Sequence, residues 1–145
     1  MYDCGSSSRR WDDVYATNGS INTSDRNEKQ QIEELSPAEL RVASAISVKK
    51  FKWNSAVEAK GDAARTHVGV IAQEVIAAFE AEGLDAFDYG LVGRNNVNLS
   101  DDAFATNNDN PIWRYNVRYT ELQAFITAAL TQKLEQLDVR IAALE

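Results

Sequence analysis

TELQAFITAALTQKLEQLDVRIAALE, residues 120–145, is the stretch whose spacing decides the architecture. Leu130, Leu134, Leu137, Ile141 and Leu144 advance by alternate steps of four and three, the period of about 3.5 that makes helices supercoil left-handedly around one another. Upstream, Leu122, Ile126 and Leu130 step by four, so the stripe drifts toward a face suited to packing on the chain's own body. Thr120 with Gln123 has the form of a capping box, which starts a helix over about residues 121–145. So short a repeat also describes an amphipathic helix lying on its own domain. With no later element to cover it, self-association is the expectation.

Working back from this helix, Trp113, Tyr115, Val117 and Tyr119 alternate with Arg114, Asn116 and Arg118, a strand pattern. Residues 84–110 lack periodicity and read as irregular, with room for one short hairpin. Val68-Gly69-Val70-Ile71 reads as a strand feeding a helix from Ala72 to about Glu82, closed by Gly83 in a left-handed cap. Gly69 is expected to allow close backbone approach, since no Gly-rich phosphate loop precedes a helix here. Residues 54–66, small and polar, read as a surface loop, and Val48 to Trp53 as a half-buried strand with Phe51 and Trp53 on one side. Ser36-Pro37-Ala38-Glu39 writes a helix start, with Ser as N-cap, Pro in the first turn and Glu three residues after the cap. That helix is expected to reach about Ser47, with Leu40, Ala43 and Ile46 or Ser47 on one face. Residues 1–24 carry an Asn18-Gly19 pair between short β-prone runs, a hairpin signal. They have too few apolar residues to bury a core, so they read as a stub of a larger parent protein, and Met1 as a boundary rather than a natural start. The fold class is α+β: a small mixed domain of short strands and helices, plus a long C-terminal helix.

The 145 residues with 44% hydrophobic content suit one modest core. A formal charge of -7 argues against nucleic acid or anionic membrane as partner, because both need clustered Lys and Arg. Cys4 is alone and no run of about 18 apolar residues is present to span a membrane. The N-terminal residues lack the basic and apolar regions of a signal peptide, so the chain reads as cytoplasmic in the cell that makes it.

Ser24 and Lys29 are the one nucleophile and base pair the spacing brings into question. A serine hydroxyl needs a neighbouring base, and a lysine serves when burial or a cationic neighbour brings its amine toward neutrality, which arginine does not allow. On an α-helix five residues turn through about 500°, leaving the two side chains roughly 140° apart. The pair therefore requires a bend, or a lysine from a neighbouring chain. The bland reading of Ser24-Asp25 is a helix N-cap followed by an acidic first turn. His67 is the single histidine, and at a strand start such a residue is more often structural than catalytic. No Cys/His cluster, nucleophile elbow or carboxylate constellation appears, so neither metal nor other cofactor is implied and no small-molecule substrate is expected. The aromatic residues Trp53, Phe79, Trp113, Tyr115 and Tyr119 read as core or interface.

Taken in order, Ser24-Asp25-Arg26 with Lys29, Phe51-Lys52-Trp53, His67-Val68-Gly69-Val70-Ile71-Ala72-Gln73-Glu74 and Tyr119-Thr120-Glu121-Leu122 closely resemble the C-terminal self-cleaving intramolecular chaperone domain of phage tail fibres and tailspikes, the S74 peptidases of endosialidase type. The resemblance covers nearly all of residues 11–145. It implies a catalytic dyad of Ser24 and Lys29, a scissile bond between Ser24 and Asp25, and a supporting role for His67, Gln73 and Glu74. Asn27 and Glu28 stand where the family often has Arg and Leu. It implies further a homotrimer whose seam is Leu130, Leu134, Leu137, Ile141 and Leu144, a stub at 1–24, and a chaperone domain at 25–145 with its coiled coil at 120–145. The domain would register the parent fibre stem in the same chain, in the cytoplasm of the infected cell, and leave the mature virion fibre after cleavage. Attack by Ser24 on its own carbonyl would close a four-membered ring, so attack across the trimer, direct involvement of Asp25, or a positioned water are the open routes. A fibre tip that stays attached, and a self-cleaving precursor similar to myelin regulatory factor, are the two alternatives. The lack of a following membrane-spanning segment speaks against the second.

Overall fold

The computed structural model describes residues 24–96 and 111–144, so the expected hairpin in 1–24 and the stretch 97–110 lie outside the described residues. The chain divides into two units, Met1–Glu34 with Asn95–Arg114, and Leu35–Arg94 with Tyr115–Glu145. The second holds the core. It starts with α1, Pro37–Ala45, whose capping box is complete: the Glu39 N–H donates to Ser36 Oγ (3.3 Å) and the Ser36 N–H to Glu39 Oε2 (2.6 Å). The helix ends two residues before the expected Ser47. Its buried residues are Val42 and Ala43, with Leu40 and Ile46 partly covered.

Strand β1, Lys49–Phe51, pairs antiparallel with β2, His67–Gly69, Phe51 facing His67. Two expectations fail between these strands. Trp53 leaves the sheet to stand as N-cap of α2, Asn54–Lys60, and its side chain is exposed. The segment 54–66 forms that helix and a 3-10 turn, Gly61–Ala63, rather than a loop. Ala56, Glu58, Ala59 and Lys60 are good helix formers, but α2 buries no residue, so it leaves no apolar stripe to read.

Helix α3, Ala72–Ala81, ends where Gly83 takes φ 73°. The Leu84 N–H donates to the Phe79 carbonyl (3.0 Å) and the Gly83 N–H to that of Glu80 (3.0 Å), the paired bonds of a Schellman stop. Residues 84–96, expected to be irregular, contain a 3-10 turn Ala86–Asp88 capped by Asp85, then β3, Val92–Asn96, which pairs with β4, Trp113–Val117. Ala86, Leu91 and Val92 are buried.

Tyr119, expected at the end of that last strand, instead opens α4, Tyr119–Ala142. Its N-cap is Arg118, without a side-chain cap, so the expected Thr120–Gln123 capping box is not formed: Thr120 already lies inside the first turn. Leu122, Phe125 and Ala129 are buried against the body, and Ile126 packs beside them. The helix ends at Ala142, so Leu144 lies beyond it.

Two consequences are measurable. A Cβ on Gly69 would collide with the Tyr119 hydroxyl and reach the Phe51 ring at 3.3 Å; Gly69→Ala should therefore cost about 1–3 kcal/mol in urea unfolding, and Tyr119→Phe should recover part of it. The second concerns pH. The Ser36 backbone and hydroxyl, then the Tyr89 hydroxyl (2.8 Å), hold the Glu39 carboxyl below its ordinary range. Burial first, then the Glu39 carboxylate, pushes Tyr89 up to about 12. Stability from Glu39 is present above the ordinary carboxylate pKa and lost as pH falls through its lowered value; stability from Tyr89 is full below 10 and lost as pH rises through about 12. Glu39→Gln should weaken the acid limb of a urea-midpoint profile, and Tyr89→Phe the alkaline limb.

Candidate active site

The site is built by a few residues of the first unit. Asp25 is extended (φ -67°, ψ 131°), and its Oδ1 accepts the Asn27 N–H at 2.9 Å and the Asn27 side-chain amide at 3.1 Å. This Asx turn caps a 3-10 helix over Arg26–Glu28. The Glu28 N–H donates to the Asp25 carbonyl (3.2 Å) and the Lys29 N–H to that of Arg26 (3.1 Å). At Lys29 the backbone is extended again.

This is the bend that a spacing of five requires. A 3-10 turn winds more tightly than an α-helix, and the Lys29 Nζ donates to Ser24 Oγ at 2.7 Å, both side chains lying open to solvent. The cap is Asp25 and not Ser24, so the serine hydroxyl is left available for the lysine. The Asp-Arg-Asn run carried the signal for that, because a carboxylate two residues before an asparagine amide is an Asx-turn pattern. Chemically the arrangement is an alcohol in hydrogen-bond contact with an amine, which in its neutral form can take the alcohol's proton.

The expected supporting residues belong to the second unit. His67, half-buried, stacks on Phe51 (centroids 5.8 Å, 22°) and meets the edge of Trp53 (6.1 Å, 61°). Glu74 joins Lys49 at 3.5 Å, tying α3 to β1 through an exposed ion pair worth little by itself. Gln73 is exposed on the first turn of α3. Leu130, Leu134, Leu137, Ile141 and Leu144, the expected seam, are all exposed, from 48% for Leu137 to 88% for Leu144, and form an uncovered apolar stripe. Among the described residues no three His, Cys, Asp or Glu side chains gather as a metal site would need, and no helix is long and apolar enough to cross a membrane.

The family model described as the chaperone of endosialidase, peptidase S74, matches residues 24–84. The side tail fibre protein pb1 of Escherichia phage T5 is 30% identical over 97% of this chain and 11% of its own length. A solved structure of a novel intramolecular chaperone is 36% identical, covering 75% of this chain and 97% of its own, with a TM-score of 0.64. The carboxy-terminal domain of the bacteriophage T5 L-shaped tail fibre, solved with its intramolecular chaperone domain, is 27% identical over 98% of this chain and 37% of its own, with a TM-score of 0.74. The chain spans between 8% and 23% of the length of the curated relatives it matches.

Proposed function

Because the chain belongs to the peptidase S74 family, the intramolecular chaperones of phage tail fibres and tailspikes, we propose that it trimerises through α4, brings a fibre or tailspike stem into register, and then frees itself by cutting between Ser24 and Asp25. The observation that carries the cleavage is the 2.7 Å contact of Lys29 Nζ with Ser24 Oγ. Packing of neighbouring chains around the turn would exclude water from the pair and so tie chemistry to assembly. Lys29 then takes the Ser24 proton, and the oxygen attacks the Ser24 carbonyl of a neighbouring chain, which avoids the four-membered ring. The Asp25 amine leaves with the proton returned from Lys29, and water opens the resulting ester.

The chaperone role has a physical rationale. An intertwined β-rich stem has high contact order and registers slowly, so a trimeric domain held on the same chain raises the local concentration of the strands and aligns them. Once the stem is formed its unfolding barrier holds it, and the helper is no longer needed.

Mass spectrometry of the protein made with its parent stem tests the site. Ser24→Ala should stay full length, Lys29→Arg should be slowed by at least about a hundredfold, and Asp25→Asn, which still caps the turn, should cut faster than Asp25→Ala. A Lys29→Arg chain that cuts normally would sink the assignment. Co-expression of tagged Ser24→Ala chains with wild type separates the routes, since attack across the trimer also cuts the tagged chains at the bond before Asp25.

Assembly has its own test. Leu137→Asp removes roughly 1.5–3 kcal/mol of burial per chain and puts carboxylates at one level of the seam, so light scattering should find monomer. A mutant with the wild-type mass in solution would place the contact away from α4.

A further inference from the structure

The free half of α4 carries Lys133, Glu135, Asp138 and Arg140 before it ends at Ala142. A helix solvated on its own gains from opposite charges three or four residues apart. Here the one charged pair at that spacing is Glu135 with Asp138, two carboxylates. Among the described residues none of the four joins an ion pair within the chain. The charges are not arranged for a lone helix.

They are arranged for a pair of helices. With Leu134 and Ile141 at heptad position a, and Leu130, Leu137 and Leu144 at d, Lys133 and Arg140 fall at g and Asp138 at e, flanking the exposed seam. In a parallel, in-register coiled coil a g residue meets the neighbour's e residue five positions on. That step joins Lys133 to the partner's Asp138, opposite in sign, and it recurs in the sequence at Arg140 and Glu145. An antiparallel arrangement sets g against g and so places Lys133 and Arg140 among their like. A slip of one heptad that sets Arg140 against Asp138 leaves Lys133 opposite Thr131, so a single opposite-sign contact replaces the two.

Resting on the reading of α4 as an assembly helix, we propose that Lys133 and Asp138 fix the parallel orientation and the register of the assembly, the partner being a second copy of this chain. The apolar seam holds the helices together without choosing a direction, and the flanking charges make that choice. For a domain that must align three stems, direction and register are the properties that matter.

The experiment is a charge swap in the 145-residue chain, followed by sedimentation equilibrium. Lys133→Glu and Asp138→Lys, each made singly, should raise the concentration for half-dissociation about tenfold, since each trimer loses three exposed pairs. The double variant should return to within about threefold of wild type, and the differences should shrink in about 1 M salt. Leu130→Cys in a Cys4→Ser background should form disulfide-linked dimers by itself. Double-variant effects that simply add, or crosslinking only when Leu130→Cys is mixed with Leu144→Cys, would overturn the proposal. Wild type at monomer mass would remove the assembly-helix reading as well, whereas a wild-type trimer indifferent to both reversals would remove only the charge assignment.

Discussion

The rest of the second unit depends on what happens around Phe79. Its ring is fully buried, stacks on Phe125 of α4 (centroids 5.7 Å, 9°) and lies 4.7 Å from the ring of Tyr89. A buried phenyl contributes about 1.5–3 kcal/mol by area, and each aromatic pair adds about 0.5–1.5. Val42 of α1, Val75 and Leu122 fill the same core. The backbone of the same residue has a second role, because the Phe79 carbonyl accepts the Leu84 N–H that ends α3. One residue thus fixes where a helix stops and what the stop packs against.

Elements with their own local chemistry were legible from the sequence. Ser36 with Glu39 announced α1, Gly83 announced the end of α3, and the alternation around Tyr115 announced β4, because each signal is a hydrogen bond or a pleat made between near neighbours. What was not legible depended on distant partners. Leu91 and Val92 are buried by residues far along the chain, and nothing in 84–96 itself marks them. Val42 escapes the pattern for the same reason: it is covered as fully as Phe79, yet it lies off the Leu40–Ala43–Ile46 stripe. Thr120 fails in the opposite way, a correct cap pattern overruled because Tyr119 is drawn into the helix with its hydroxyl receiving the Val70 N–H at 3.3 Å.

The candidate site divides along the same line. Ser24, Asp25, Asn27 and Lys29 lie within one short turn, and their geometry is made by bonds inside that span. Such a turn needs no long-range contact to form. The chemistry proposed for it, by contrast, requires water to be removed, and both side chains are exposed. Asp25 followed by Asn27 carried the signal of the turn, but Ser24 beside it offers a rival cap, and the turn takes the carboxylate.

The contact between Tyr119 and the Gly69–Val70 backbone bears on more than the body in which it sits. It pins the first residue of α4 from one side while Phe125 and Ala129 are pinned from another, so the helix has a fixed phase. Beyond Leu130 the apolar stripe stands exposed, yet its azimuth is already determined, transmitted along a rigid rod at about 100° per residue. An insertion of a single residue after Ala129 would swing the stripe by about 100° relative to the body that α4 packs on, whereas an insertion of seven would return it to within about 20°. The distal half of α4 can therefore gain or lose whole heptads, but not single residues, without losing that phase.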